Sequence, residues 1–128
     1  MIDPFGLEPP KNIPPGVNME QNVREAQKMS PLDFYNAVKS GGKWDYKTQG
    51  KQYEDFGNYN FGMTGRATGF SEDTLKRGAG AYQIYSGTSN PQWGWPWGNS
   101  PYGDDPNDQR WIGEGVKDFE NWRDSPCP

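Results

Sequence analysis

The chain has 128 residues and a formal net charge of −4 at pH 7, a length that allows one domain at roughly 100–200 residues per domain. It contains no histidine, which excludes Ser-His-Asp and Cys-His catalytic sites and histidine-based zinc sites. The acidic balance, without any run of Lys or Arg, argues against a broad basic surface that binds nucleic acids non-specifically.

The N-terminal segment, Met1 to Val17, contains five prolines and almost no apolar periodicity. Such a composition is typical of an extended linker. We therefore divide the chain into a Pro-rich linker over residues 1–17 and one domain over residues 18–128. The N-terminus lacks the basic and apolar regions of a signal peptide, and no apolar stretch approaches the roughly 20 residues that span a bilayer. We expect no membrane partner.

Two short helices are predicted next. Residues 18–28 read as a polar helix. A second helix begins at Ser30, where the serine can cap, Pro31 suits the first turn and Asp33 completes a capping box. Gly41-Gly42 is predicted to end it.

The middle of the chain is rich in glycine, asparagine and aromatic residues. Residues 53–62 are predicted to form either a strand pair or a structured loop, and the sequence does not choose between them. A helix is predicted to start at Ser71 and to reach about Tyr85, with acidic groups placed favourably at its N-terminus. Residues 87–103, which include three tryptophans and three prolines, are predicted to form a loop.

Asp105-Pro106 is a strong start signal for a last helix, which places Ile112, Val116 and Phe119 on one face. The predicted fold class is therefore mainly α, with an α+β arrangement as the alternative. We expect a single small loop-rich domain with about four helices, a Gly/Asn-rich segment and a Trp/Pro-rich loop. Its core should be small and aromatic, because the chain has 6 Trp, 7 Tyr and 6 Phe.

A short motif in the linker is informative. Ile2-Asp3-Pro4-Phe5-Gly6-Leu7 resembles the Asp-Pro-x-Gly-Leu sequence that ends the conserved core of Rhs (YD-repeat) proteins. The resemblance implies that an Rhs core shell encloses the following module and releases it near Glu8. An ordinary Asp-Pro turn is the competing interpretation.

A second resemblance runs from Trp44 to about Trp122. This region is similar to the polymorphic toxin type 44 family, through Trp44-Asp45-Tyr46-Lys47, Asp55-Phe56-Gly57-Asn58, Phe61-Gly62 with Gly65, Gly78-Ala79-Gly80 with Gln83, and Tyr102-Gly103-Asp104-Asp105-Pro106 with Asp108-Gln109. The resemblance implies a secreted toxin delivered into a target bacterium and a cognate immunity protein as its partner. It does not define the target.

Without histidine, acid–base chemistry falls to carboxylates, Lys and Tyr. The candidate catalytic residues are Glu54, Asp55, Asp104, Asp105 and Lys47. Glu54 is the first choice for a general acid, because neighbouring aromatic rings can desolvate its carboxyl. The competing interpretations are an ion pair of Glu54 or Asp55 with Lys47 or Lys51, and helix capping by Asp105 and Asp108.

Aromatic and amide side chains are the candidate substrate contacts. They are Trp44, Tyr46, Asn58, Tyr82, Gln83, Trp93 and Trp95. The segment Gly80-Ala81-Tyr82-Gln83 resembles a Gly-x-Tyr-Gln segment that lines the glycan groove of some phage endolysins and lytic transglycosylases. Core packing is the alternative role for the tryptophans.

These features favour an enzyme that cleaves peptidoglycan glycan strands in the periplasm. The alternative is a ribonuclease acting in the target cytoplasm, in which Lys47, Arg66 and Arg77 stabilise phosphate charge. A nuclease that holds magnesium through Asp104, Asp105 and Asp108 is a variant of the alternative. A non-catalytic binding module is a further hypothesis. We expect neither a cofactor nor a metal, and the glycines of residues 57–69 lack the Gly-Lys-Ser/Thr ending of a phosphate loop.

Overall fold

The computed structural model describes residues 9–124. Side-chain caps fix where most of its helices begin. Asn18, Ser30, Ser71 and Asp105 each accept a hydrogen bond from a backbone N–H in the first turn of the following helix. Such caps satisfy donors that have no partner within the helix. The α-helices are α1 (Met19–Ala26), α2 (Pro31–Val38), α3 (Glu54–Thr68), α4 (Glu72–Tyr85) and α5 (Pro106–Arg123).

The four helices predicted from the sequence are confirmed as α1, α2, α4 and α5. Ser30 and Asp33 form the predicted capping box. α2 ends at Val38, before the Gly41-Gly42 pair predicted to stop it. Short 3-10 helices occupy Tyr46–Gln49, Lys51–Tyr53 and Pro91–Trp93. The mainly α prediction is confirmed, since residues 9–124 contain no β-strand. Within the same residues, no helix combines the length and the apolar character needed to cross a membrane.

The Gly- and Asn-rich segment 53–62 forms neither a strand pair nor a structured loop, so that prediction is wrong. Tyr53 ends the second 3-10 helix, and residues 54–62 belong to α3, a continuous helix of 15 residues. Each glycine in a helix interior costs about 1 kcal/mol relative to alanine. However, α3 buries Phe56, Tyr59 and Met63 completely, and burial of one such side chain contributes roughly 1.5–3 kcal/mol. Tertiary packing therefore outweighs the low helix propensity of this segment.

α3 and α5 pack with their backbones in contact, and two glycines permit this approach. A Cβ atom at Gly62 of α3 would overlap the carbonyl oxygen of Ile112 in α5. Reciprocally, a Cβ atom at Gly115 of α5 would overlap the carbonyl oxygen of Tyr59 in α3. Any larger residue at either position would separate the two helices.

The two helices also run in the same direction. Near their N-termini, the Asn107 side-chain amide donates to Asp55 Oδ1 at 2.9 Å. Near their C-termini, Arg66 Nε donates to Glu120 Oε2 at 3.1 Å. The first turns of α3 and α5, with their acidic side chains, therefore lie at the same end of the domain.

The other helices and the first 3-10 helix cover this pair with apolar and aromatic side chains. The buried hydrophobic residues are Val23, Ala26, Phe34, Ala37, Trp44, Tyr46, Phe56, Tyr59, Met63, Leu75, Ile112, Val116 and Phe119. A polar connection crosses this core, because the Asn22 side-chain amide donates to the Tyr46 hydroxyl at 2.9 Å and to Asn60 Oδ1 at 3.1 Å. The core is small and aromatic, as the composition predicts.

The loop between α4 and α5 is anchored on α4. Gly80 lies so close to the loop that a Cβ atom there would overlap the carbonyl oxygen of Tyr102. The Arg77 guanidinium lies 4.5 Å from the centre of the Tyr102 ring. The Gly103 N–H donates to the Trp93 carbonyl at 2.8 Å and closes the loop on itself. The predicted irregular loop is therefore held in place by specific contacts.

The end of the predicted linker packs on the domain. Residues 9–17 contain neither helix nor strand, yet Pro10 and Pro14 are buried and Val17 packs against the core. The motif at residues 3–7 and Cys127 lie outside the described residues.

Gly62→Ala is expected to destabilise the fold by about 2 kcal/mol, because the added methyl group overpacks the α3–α5 contact. Gly78→Ala in α4 is the matched control, since a Cβ atom there meets no neighbour. This control should stabilise the protein by about 0.5–1 kcal/mol through helix propensity. Urea denaturation of both variants checks the prediction, and shifts of the same sign would contradict it.

Candidate active site

The two acidic segments singled out in the sequence converge at one end of the domain. Glu54 and Asp55 begin α3, and Asp104, Asp105 and Asp108 surround the start of α5. These five residues are called the acidic cluster below. The Asn107–Asp55 hydrogen bond connects the two segments, and the charges of all four other members act on Asp108. Convergence follows from the parallel arrangement of α3 and α5.

Asp104 is the most buried member of the acidic cluster, with 2% of its surface exposed. Its carboxylate accepts hydrogen bonds from the Gln109 side-chain amide at 2.7 Å and from the Asp105 backbone N–H at 2.8 Å. Burial raises the pKa of Asp104, while these two bonds and the nearby Gln83 side chain oppose the rise. The two hydrogen bonds hold this carboxyl in one orientation.

Asp108 combines burial with the like charges around it. The residue is 8% exposed. Burial first, and then the negative charges of Asp104, Glu54, Asp105 and Asp55, raise the pKa of Asp108 to about 8. A carboxyl group with this pKa keeps its proton at neutral pH. In a chain without histidine, Asp108 therefore provides a proton donor in the neutral range.

Asp105 caps α5, which is the role that the sequence analysis gave as the alternative to catalysis. Its Oδ1 accepts from the Asn107 backbone N–H at 2.8 Å. Asp108 occupies the first turn of the same helix, but it is buried among carboxylates. Helix capping therefore accounts for Asp105 and leaves the burial of Asp108 unexplained.

Glu54 and Asp55 lie at the accessible side of the acidic cluster. Glu54 is exposed and Asp55 is half-buried. Among residues 9–124, neither forms the ion pair with Lys47 or Lys51 that the sequence allowed. Indeed, within those residues no member of the acidic cluster pairs with a lysine or arginine. Within the described residues, the negative charge of the acidic cluster is therefore not offset by ion pairs.

The predicted substrate-contacting residues fall into different environments. Trp44 and Tyr46 lie in the core, 5% and 6% exposed, so packing accounts for both. The Asn58 amide donates to the Glu54 carbonyl at 3.2 Å, one turn earlier in α3. The Tyr82 hydroxyl bonds to Ser40 at 2.5 Å.

Of the remaining candidates, Gln83 lies close enough to Asp104 to oppose the rise in the pKa of that carboxyl. Trp93 is half-buried, whereas Trp95 is 58% exposed. Lys47 is exposed on the first 3-10 helix, and its backbone passes close to Gly57 of α3. Gln83 is thus close to the acidic cluster, and Trp95 is accessible on the loop that leads to it.

Sequence reasoning missed two residues of this site. Asn107 connects α5 to Asp55, and Gln109 donates to Asp104 and to the Lys76 carbonyl. The Gln109 Oε1 atom is buried without a hydrogen-bond partner. The only available signal was the position of Gln109 beside Asp108 in the Asp-Gln pair of the family motif.

The cations proposed for phosphate binding have other partners. Arg66 pairs with Glu120 at the C-terminal end of α3, about 18 Å along the helix from Glu54. Arg77 donates to the carbonyl oxygens of Pro96 and Gly98 and pairs with Asp73. Within the described part of the chain, no three carboxylate or thiol groups lie close enough together to hold a metal ion.

Comparison with known proteins agrees with the sequence motifs. A family model described as bacterial toxin 44 matches residues 48–121. The match includes every member of the acidic cluster and the loop between α4 and α5, but not the Trp44–Lys47 motif. No curated protein and no solved structure matches the chain. Because the family model spans more than half of the sequence, the chain belongs to the bacterial toxin 44 family.

Proposed function

We propose that this toxin domain hydrolyses the glycan strands of bacterial peptidoglycan with the carboxyl groups of the acidic cluster. The observation that carries the proposal is the convergence of carboxylates from α3 and α5, with Asp108 buried and Glu54 exposed. Glycoside hydrolysis needs one carboxylic acid that donates a proton and a second carboxyl group that acts as base or nucleophile. Different burial of two acids is the usual way to assign those roles.

Asp108 takes the role of proton donor in this proposal, in place of Glu54, the first choice from the sequence. The Asp108 proton passes to the glycosidic oxygen as the bond from that oxygen to the anomeric carbon breaks. The Glu54 carboxylate stabilises the positive charge at the anomeric carbon and accepts a proton from the water molecule that adds to this carbon. The products are two shorter glycan strands, one of which carries a new reducing end.

Asp104 serves as a positioning residue in this scheme. Its buried charge is one cause of the raised pKa of Asp108. Gln109 and the Asp105 N–H hold the Asp104 carboxylate in place. Asp104 thereby keeps the proton on Asp108 without contacting the sugar.

The charge distribution favours a glycan over RNA as substrate. A polyphosphate would be repelled by the negative charge of the acidic cluster, and phosphate recognition relies on accessible Lys and Arg. Of the cations considered for that role, Arg66 and Arg77 are engaged elsewhere. Exposed Lys47 remains, and one lysine does not neutralise the acidic cluster.

The site of action follows from the substrate. Members of a bacterial toxin family act on target cells, and we propose the periplasm of the target bacterium as the compartment. The motif at residues 3–7 supports the proposal that an Rhs core shell releases the domain near Glu8. A cognate immunity protein in the producer completes this scheme.

Expression of the chain in bacteria with and without a periplasmic export signal tests the compartment. Only the exported form should cause rounding or lysis, because peptidoglycan lies outside the cytoplasmic membrane. Cell shape and total RNA integrity are scored together. Growth arrest without export, accompanied by degraded RNA, would overturn the glycan proposal and favour the ribonuclease.

Asp108→Asn and Glu54→Gln should each lower the release of reducing ends from purified peptidoglycan at least 100-fold, because general acid–base catalysis contributes roughly that much or more. Asp124→Asn is the control, since it makes the same chemical change at the opposite end of α5. Wild-type activity should fall as pH rises through about 8, the pKa at which Asp108 loses its proton. Full activity in Asp108→Asn would remove Asp108 from the mechanism.

The raised pKa of Asp108 also predicts how stability depends on pH. Between about pH 4 and pH 8 the unfolded chain releases this proton while the folded protein retains it. The contribution of Asp108 to stability should therefore be greatest at or below about pH 4 and should fall as pH rises towards about 8.

Asp108→Asn lacks this linkage. It should be more stable than the wild type at pH 7 by about 1 kcal/mol or more, since one unit of pKa difference corresponds to about 1.4 kcal/mol. The gain should disappear near pH 4. Glu54→Gln, which changes an exposed side chain, should stay within about 0.5 kcal/mol of wild type. Thermal unfolding at several pH values measures both, and a pH-independent difference would contradict the assignment.

A further inference from the structure

Two tryptophans in the loop between α4 and α5 stack on each other at the surface. The Trp95 and Trp97 ring centres are 5.6 Å apart, with 15° between the ring planes. Trp95 is 58% exposed and Trp97 is 77% exposed. Exposed aromatic surface of this kind is costly in water and commonly marks a binding site. Core packing, the alternative considered for these tryptophans, does not account for the pair.

Hydrogen bonds from α4 hold the backbone that carries the stacked pair. Arg77 Nη1 donates to the Pro96 carbonyl at 2.7 Å and to the Gly98 carbonyl at 3.1 Å. Asp73 holds the Arg77 Nε at 2.9 Å. Pro96, between the two tryptophans, is buried. The indole rings are therefore presented on an ordered support, which lowers the entropy lost when a ligand binds.

The stacked pair is connected to the acidic cluster through the end of the same loop. The Gly103 N–H donates to the Trp93 carbonyl at 2.8 Å, and Asp104 follows Gly103 directly. Tyr102 fixes this end of the loop against Gly80 of α4. The loop that carries the stacked pair therefore ends directly at the acidic cluster.

The chemistry of the loop indicates an uncharged ligand with hydroxyl groups. Residues 87–103 contain no Lys, Arg, Asp or Glu. Asn90, Gln92, Asn99 and Ser100 are exposed in this loop and offer neutral hydrogen-bonding groups. A phosphate polymer would need cations here. A stable protein interface requires about 800 Å² on each partner, more than a pair of side chains supplies.

We propose that Trp95 and Trp97 form a sugar-binding subsite, on which a pyranose ring of the glycan strand stacks at a distance from the bond that is cleaved. The inference rests on the proposed glycan substrate. The apolar face of a sugar ring packs against an indole, while its hydroxyl groups bond to the neutral side chains around it. The subsite holds the strand, so that the acidic cluster acts on a bound polymer.

The test measures binding and cleavage separately. Binding of peptide-free peptidoglycan glycan strands is measured by calorimetry in the Asp108→Asn background, with total RNA and anionic phospholipid vesicles as competing probes. Trp97→Ala and the double Trp95→Ala/Trp97→Ala variant are compared with Trp97→Phe, which keeps an aromatic face. Leu32→Ala is the control for loss of an exposed apolar side chain, since Leu32 is 67% exposed on α2.

Trp97→Ala should weaken glycan binding about tenfold, the typical cost of removing an aromatic anchor from a binding site. Trp97→Phe should recover most of the affinity, and Leu32→Ala should bind like its parent. In the catalytically competent protein, Trp97→Ala should raise KM for long strands and change kcat little.

The outcomes separate the two proposals. If the wild type releases reducing ends while both alanine variants bind and cleave like their parents, the subsite is refuted and the hydrolase stands. If glycan binding falls in the alanine variants but the wild type releases no reducing ends, the subsite stands and the hydrolase fails. Loss of RNA or vesicle binding in these variants, with glycan binding unchanged, overturns the subsite in favour of that other ligand.

Discussion

The backbone contact between α3 and α5 is the constraint on which the rest of this structure depends. Gly62 and Gly115 let the two helices approach until each would meet the other's carbonyl oxygens. Because the helices are parallel, this contact brings both N-termini to one end of the domain. Neither helix forms the acidic cluster alone. The acidic cluster exists because two acidic first turns, about fifty residues apart in the chain, are held side by side.

Such an arrangement is tolerated for two physical reasons. The N-terminal end of a helix carries a partial positive charge that favours nearby carboxylates, and α3 and α5 each present that end to the acidic cluster. The remaining repulsion is relieved because Asp108 retains its proton at neutral pH. Part of the folding free energy is therefore spent on keeping a carboxylic acid in its neutral form. Sites under such strain are commonly functional, because selection for stability alone would remove the buried acid.

Local signals predicted much of the fold. The Ser30–Asp33 capping box and the Asp105-Pro106 helix start depend on neighbouring residues, and the structure confirms both. α3 was missed because its stability comes from contact with α5, which no window around its glycines reveals. For the candidate site, too, local sequence predicted only part of what the assembled helices determine. The absence of histidine directed attention to two acidic segments, which the structure brings together. The sequence could not show that Asp108 rather than Glu54 is the buried acid with the raised pKa, since burial and neighbouring charge depend on the assembled helices.

The surface around the proposed site has a charged part, the acidic cluster, and an uncharged part, the loop between α4 and α5. Residues 87–103 of this loop contain no Asp, Glu, Lys or Arg, and Asp104 follows them directly. A substrate that meets both parts must accept carboxylates near the bond that breaks and flat aromatic surface farther along. A glycan strand satisfies both conditions, since its rings have apolar faces and its cleavage needs carboxyl groups. A nucleic acid satisfies only the second, because its bases stack on aromatic rings while its phosphates are repelled by the acidic cluster.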